Sequence, residues 1–393
     1  MIYRRFGRTE LQMPVFSCGG MRYQHAWSDV APEDIPEANQ KNLEATIHRS
    51  IEVGINHIET ARGYGTSEMQ LGSVLPHLPR EQIIVQTKVS PRESAAEFLE
   101  TFETSMKYLR LDHVDLLSLH GINTPHLLDL TLRPGGCMDV CRQLRRDGRV
   151  RFVGFSTHGP AQTIVDAVET GEFDYFNVHW YWVNRRNWRA IEAATRHDMG
   201  VFIISPNDKG GKLYAPPPKL VDLCRPLSPM VFNDLFCLQR PEVHTLSLGA
   251  AKPSDFDEHI HALDQMEHAD ASLAEIDNRL VSEMHRVLGR DWCENWETGI
   301  PECDEIPGEI NVWEILRLYN LAKSLDLVDF GKMRYNLLGN ADHWFPGNQA
   351  VDFDDTALRD ALHQSPFRDE IPGILRDAHA LLHEAPQKRL SES

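Results

Sequence analysis

Asn56-His57-Ile58-Glu59-Thr60-Ala61-Arg62-Gly63-Tyr64-Gly65-Thr66-Ser67-Glu68 runs from a short apolar strand through a glycine-hinged loop into a helix start. A carboxylate, Glu59, stands near the strand end, and a phenol, Tyr64, follows in the loop. A tyrosine hydroxyl is a poor acid near neutral pH unless neighbouring charges adjust it. The pair therefore poses a question that the rest of the chain has to answer: does it bring charged partners to this loop?

The strand-to-helix rhythm of this stretch recurs on both sides of it. Short, nearly continuous apolar runs lie at residues 14–20, 57–61, 83–89, 114–120, 150–156, 175–180, 201–206 and 243–250. Runs of this kind suit strands covered on both faces. Helical periodicity separates them at 42–53, 94–111, 138–146, 162–169, 188–196, 232–238 and 253–263. The helix at 94–111 carries its own start signal, with Ser94 as N-cap and Glu97 placed for a capping box. This alternation over residues 14–266 has the period and length of an α/β TIM barrel, (β/α)8. A doubly wound sheet fits less well, because no G-x-G-x-x-G follows the first strand.

Around that barrel sit less regular pieces. Residues 1–13 alternate about Gly7, as a short hairpin covering one end of the fold does. Residues 22–38 form a long acidic connection after the first strand, which in a barrel lies on the catalytic face and shapes substrate access. From residue 267 strands give way to helical runs at 273–288, 312–322, 356–361 and 371–383, with loops at 291–310 and 340–354. The expected organisation is a barrel over 1–266, a helical domain over 267–386 and a flexible tail over 387–393.

Bulk composition narrows the partners. With 40 basic against 58 acidic residues the formal net charge is −18, which argues against nucleic acid or an anionic membrane as a general partner. No apolar run approaches the roughly eighteen residues of a membrane span, and Met1-Ile2-Tyr3-Arg4-Arg5-Phe6 lacks the apolar core of a signal peptide. Seven dispersed cysteines, an odd number, fit reduced thiols in a cytoplasm better than a disulfide framework. Oligomeric state is not written in this sequence.

In a barrel, functional side chains collect where strands end. Glu59, Lys88 and His120 cap the second, third and fourth strand candidates, and Tyr64 follows the second. Proton transfer to a carbonyl oxygen suits this set. A lysine ammonium beside a phenol favours the phenolate and so strengthens the acid; a carboxylate holds the lysine, and an imidazole orients the carbonyl. A structural Glu–Lys pair and a satisfied core histidine explain each residue singly, but not three of them on consecutive strands.

Ile58 through Glu68 resembles the aldo-keto reductase signature, Asp-Thr-Ala, two residues, Tyr-Gly and a nearby Glu, with Glu59 in the place of the Asp. Thr87-Lys88-Val89 is similar to that family's lysine strand, Asp115-Leu116-Leu117-Ser118-Leu119-His120 to its histidine strand, and Arg5-Phe6-Gly7-Arg8-Thr9 to its N-terminal hairpin. The resemblance covers about residues 1–266 and implies NADPH-dependent reduction of a small aldehyde or ketone. Tyr64 is then the general acid, Lys88 its tuning cation, His120 the carbonyl-orienting group and Glu59 the acid that reaches Lys88.

The same resemblance implies where NADP(H) lies. Ser156 and Thr157, in Gly154-Phe155-Ser156-Thr157-His158, and Asn177 match the groups that hold the nicotinamide carboxamide. Ser205, Lys209, Gly211 and Lys212, in the loop after the seventh strand, match the pyrophosphate strap. Gly249, Lys252 and Glu258 match the adenosine end, where a cation and a helix start hold the 2′-phosphate. The chain departs from the family at Ala251, where a second basic residue is common, at Asp255 (usually Gln), at His259 (usually Asn) and at Ile204 (often aromatic). A cofactor-binding sensor or assembly protein with little catalysis is the competing reading.

Beyond the barrel, Cys293 through Tyr319 resembles the C-terminal domain of a subset of aldo-keto reductase-like oxidoreductases, which carries ferredoxin-type cysteines. Ile306-Pro307, Ile315-Leu316-Arg317-Leu318-Tyr319-Asn320 and Ile371-Pro372 carry the likeness. A [4Fe–4S] cluster needs four thiolates, whereas this region offers Cys293 and Cys303, so neither an iron–sulfur cluster nor a metal site is expected. Trp292, Trp296, Trp313 and Trp344 are expected to fill a core or cover the barrel mouth. His259-Ile260-His261 has a zinc-like look but no partners in sequence, and is expected to be an exposed helical pair.

Overall fold

Phe16–Gly19 (β1) opens a parallel barrel in the computed structural model, which describes residues 1–384. It is followed by His57–Glu59 (β2), Ile84–Val89 (β3), Val114–His120 (β4), Val150–Ser156 (β5), Tyr175–Val178 (β6), Gly200–Ile203 (β7) and Thr245–Leu248 (β8). Each strand pairs with the next in sequence, and β8 closes the ring by pairing with both β7 and β1. All eight strands expected from the sequence are present: β4 and β5 match to the residue, β7 begins one residue earlier and ends sooner, and the other five are shorter than expected. The register sets the mouth: Glu59 lies opposite Gln86, Lys88 opposite Ser118, His120 opposite Ser156, and Ser156 opposite Asn177.

Alternation along β3 shows how the strands sort their side chains. Gln86 and Lys88 turn into the barrel, whereas Thr87 turns outward and donates to Glu68 of the short helix Ser67–Leu71 at 2.5 Å. The helix Ala95–Leu109 covers the same region with Phe98, Phe102, Met106 and Leu109 buried. Its N-cap is Ser94 as expected, though the hydroxyl takes the N–H of Ala96 rather than that of Glu97. Ser67–Leu71 is the helix start expected after the glycine-hinged loop, whereas the short helices Pro125–Leu132 and Pro218–Cys224 went unseen in the sequence, since a turn or two carries too little period to read.

The N-terminal hairpin pairs Tyr3–Arg5 with Gln12–Pro14. Phe6, Leu11 and Met13 pack against Ile84, Leu116, Tyr175 and Phe202, closing the barrel at the end opposite Lys88 and His120. Gly7 makes the approach possible: it sits at φ +52°, and a side chain there would strike the backbone of Asp198 and Met199.

The chain divides into two compact units. One is Met1–Gly210 with Asn233–Met266; the other is Gly211–Phe232 with residues 267–384. Within the second, the helices Ala269–Leu288, Val312–Leu325, Val328–Tyr335 and Ile371–Leu382 supply the framework. Trp296 and Trp313 are buried there with ring centroids 5.7 Å apart, and Trp292 packs on Phe367 while donating to Asn320. Lys219 pairs with Glu283 at 2.7 Å, joining Pro218–Cys224 to Ala269–Leu288. The tail expected at 387–393 lies outside the described residues. No helix among the described residues is long and apolar enough to cross a membrane.

Candidate active site

Lys88 is the hub of the mouth. It is 1% exposed, and its ammonium donates to the Glu59 carboxylate, to the Thr60 carbonyl at 2.9 Å and to the Tyr64 hydroxyl at 3.3 Å. Those three bonds match the donor count of an ammonium. Glu59 therefore reaches Lys88 despite standing where the resemblance has the shorter acid, and its other oxygen accepts from Ser247 at 3.3 Å. His120 completes the group, its ring edge-on to Tyr64 with centroids 5.7 Å apart and planes at 83°. The four side chains expected at one spot are at one spot.

The loop between β2 and Ser67–Leu71 positions the phenol. The N–H of Arg62 donates to the Lys88 carbonyl and that of Tyr64 to the Ala61 carbonyl, both at 2.9 Å. Gly65 follows at φ +53°, and a methyl there would lie 1.8 Å from the Ala26 oxygen. The expected acidic connection presses here: the N–H groups of His25 and Ala26 donate to the Thr66 hydroxyl, and Asp29 pairs with Arg62. Arg62 also holds the buried Glu68 at 2.9 Å. This Arg62–Glu68–Asp29 cluster fastens the Tyr64 loop to the connection beside it.

Electrostatics at the site differ from the sequence expectation in one respect. Burial, and then the negative charge of Glu59, hold the Tyr64 hydroxyl well above the ordinary phenol value. Burial likewise lowers Lys88, with Glu59 opposing that shift. The lysine thus does not make the resting phenol a strong acid. Desolvation wins, and Tyr64 keeps its proton at neutral pH.

Across the mouth, the other predicted residues fall into separate groups. Ser156 accepts from the N–H of Gly121 at 3.1 Å, and Thr157 donates to the Ile122 carbonyl at 2.8 Å, so both brace the β4 exit. Asn177 Oδ1 accepts from Gln86 Nε2 at 3.3 Å; Asn177 Nδ2 and Gln86 Oε1 are both buried without a partner. Gln86 was not singled out from the sequence, although a polar residue two before Lys88 in an otherwise apolar strand was a usable signal. Lys209 folds back over β5 and β6, its amine 3.4 Å from His158 Nδ1 and 3.3 Å from His179 Nε2. His179 was also missed, and only the closed barrel brings it to Lys209.

Beyond β8, Gly249 accepts from Arg22 at 2.5 Å, and exposed Lys252 precedes the turn Pro253–Phe256. Asp255 takes the N–H of Ala251 at 2.9 Å. Glu258 is exposed on the helix Asp257–Gln265. Ser205 opens its loop at φ +53°, whereas Gly211 and Lys212 belong to the second unit, where Gly211 faces Leu213 and Leu327. The expectation of an exposed His259–His261 pair is corrected. His261 is exposed, but His259 is 1% exposed, paired with Asp234 at 2.5 Å and with Asn207 at 2.7 Å. It lies on the inner face of its helix, where neighbours on other elements satisfy both ring nitrogens.

Comparison with known proteins bears on the family and the fold. Residues 16–211 match the family model described as the aldo/keto reductase family. The NADH-specific methylglyoxal reductase of Escherichia coli is 27% identical over 188 residues, covering 42% of this chain and 56% of that protein. The L-galactose dehydrogenase of Arabidopsis thaliana is 27% identical over 162 residues, 39% of this chain and 47% of that one. The chain thus spans about half the length of the curated relatives it matches. Among solved structures, the holo form of an aldo-keto reductase from Bacillus halodurans superposes with a TM-score of 0.60 at 20% identity, covering 71% of this chain and 96% of that chain. That likeness speaks for the fold.

Proposed function

Because the barrel belongs to the aldo/keto reductase family, we propose that this protein is an NADPH-dependent oxidoreductase that reduces an aldehyde or ketone, with Tyr64 as general acid. The observation that carries the reading is the Lys88 ammonium, bonded at once to Glu59, the Thr60 carbonyl and the Tyr64 hydroxyl.

The reaction adds a hydride to the carbonyl carbon and a proton to the carbonyl oxygen. A reduced nicotinamide supplies the hydride. Tyr64, kept protonated by burial and by Glu59, donates its proton as negative charge grows on the oxygen, because an alkoxide is a far stronger base than a phenolate. Lys88 stabilises the phenolate left behind, and Glu59 keeps the ammonium charged and in place. His120, edge-on to Tyr64, orients the carbonyl oxygen. Solvent then returns the proton to Tyr64.

The residues present suit a nicotinamide dinucleotide. Asn177 Nδ2, buried with no partner, awaits an acceptor such as the carboxamide oxygen. Ser156 and Thr157 flank it, and on this reading Ser205 and Lys209 serve the pyrophosphate and Gly249, Lys252 and Glu258 the adenosine end. Exposed Lys252 at a helix start favours NADP(H) over the NADH named for the bacterial relative. A cytoplasmic location belongs to the same proposal, supported by seven free cysteines. The helical unit is read as a ferredoxin-like domain that has lost its cluster ligands.

The test titrates NADPH by fluorescence, then follows its oxidation with a panel of aldehydes, ketones and quinones. Tyr64→Phe is expected to bind NADPH with unchanged Kd and to lose roughly 10²–10⁴ in kcat. NADPH binding without Tyr64-dependent turnover on any of these would overturn the reading in favour of a cofactor-binding protein.

A further inference from the structure

Gln86 lies two residues before Lys88, so the pleat of β3 turns both into the barrel. Its amide nitrogen donates to Ser118 Oγ at 2.9 Å and to Asn177 Oδ1 at 3.3 Å. Ser118 in turn bonds the Tyr175 hydroxyl at 2.9 Å. Tyr175 and Asn177 stand two apart on β6, so this path leaves β6, crosses to β4 and β3, and returns to β6. All four side chains are fully buried.

The polarity of this path sets one amide. With its oxygen taken by the Gln86 donor, Asn177 must direct Nδ2 elsewhere, and that nitrogen is buried with no partner. A buried donor left unsatisfied is costly, and a ligand that brings an acceptor recovers the cost. An Asn177 free to turn over would offer oxygen and nitrogen alternately.

We infer that Gln86 is a positioning residue for the dinucleotide: by holding Asn177 Oδ1, it aims the Asn177 N–H at the carbonyl oxygen of the nicotinamide carboxamide. The inference rests on the reading of this protein as a nicotinamide-dependent reductase. Gln86 itself touches neither cofactor nor substrate. It acts through Asn177, so its contribution vanishes when Asn177 is removed, and it is blind to ligands that lack the nicotinamide.

Binding of NADPH and of 2′-phospho-ADP-ribose, which lacks the nicotinamide, is measured by calorimetry for the wild type, Gln86→Met, Asn177→Ala and the double variant. Gln86→Met is expected to raise the NADPH Kd roughly three- to tenfold, the scale of one hydrogen bond, and to leave that of 2′-phospho-ADP-ribose unchanged. The double variant is expected to bind NADPH no more weakly than Asn177→Ala alone. Should Gln86→Met fail to fold, Ser118→Ala loosens the amide from its other side and is expected to show the same ligand selectivity. Equal NADPH affinity in wild type and variant overturns the inference. So does equal weakening for both ligands, which marks a merely structural role, or losses that multiply in the double variant. A wild type that binds neither ligand overturns the reductase reading, and this inference with it.

Discussion

Single residues carry the chemistry, and burial decides how they behave. Glu59, Lys88 and His120 stood out in the sequence because ionisable residues capping three consecutive apolar strands are costly unless used, and Tyr64 stood out because it follows the first of them. The direction of the Tyr64 shift was not legible there, because desolvation depends on neighbours that only the closed barrel supplies. His57 makes the same point where no catalysis is at stake. It is fully buried, with Ser17 Oγ 2.6 Å from Nδ1, and burial, reinforced by the Lys88 charge, pushes its pKa down to about 3. The unfolded chain, with an ordinary imidazole near 6.5, takes up the proton first as pH falls, so folding stability contributed by neutral His57 is intact above about pH 6.5 and drains away toward pH 3. Urea unfolding at pH 7 and pH 4 should show the wild type losing on the order of 3 kcal/mol more than His57→Asn over that interval. Parallel losses in the two proteins would show that His57 is not held neutral.

At the scale of elements, the eight strands were readable because each is a short apolar run buried on both faces. The hairpin was readable as a cover, and its anchor is Phe6, packed on Tyr175 at 5.6 Å and against Gly200, where any side chain would strike the Phe6 ring. Phe6→Ala should cost about 3–5 kcal/mol in urea unfolding; a loss below about 1 kcal/mol would mean the hairpin rests loosely on the barrel. Gln86, Ser118 and Tyr175 went unread for a different reason. They meet across the barrel interior from three strands, and a one-dimensional pattern shows that a position faces inward without showing what it faces. His259 misled for the complementary reason, since its partners Asp234 and Asn207 come from distant elements.

For the whole molecule, family membership and the barrel were legible because several motifs occur in one order along the chain. Its division into units was harder to read. Residues 211–232 sit inside the barrel's sequence, yet they group with the C-terminal helices through contacts such as Lys219–Glu283 and Arg279 to the Leu223 carbonyl. Nothing local in a proline-rich stretch announces a partner some sixty residues away. The central claim, that the mouth of this barrel transfers a hydride and protonates the carbonyl through Tyr64, is tested most directly by isotope transfer. NADPH carrying deuterium at the reactive C4 position is incubated with the protein and the aldehyde and ketone panel, and the alcohols are analysed by mass spectrometry. Deuterium bound to the carbinol carbon, formed by the wild type and at least a hundredfold more slowly by Tyr64→Phe, is the predicted result. Alcohol without deuterium, or labelled alcohol formed equally fast by Tyr64→Phe, would contradict it.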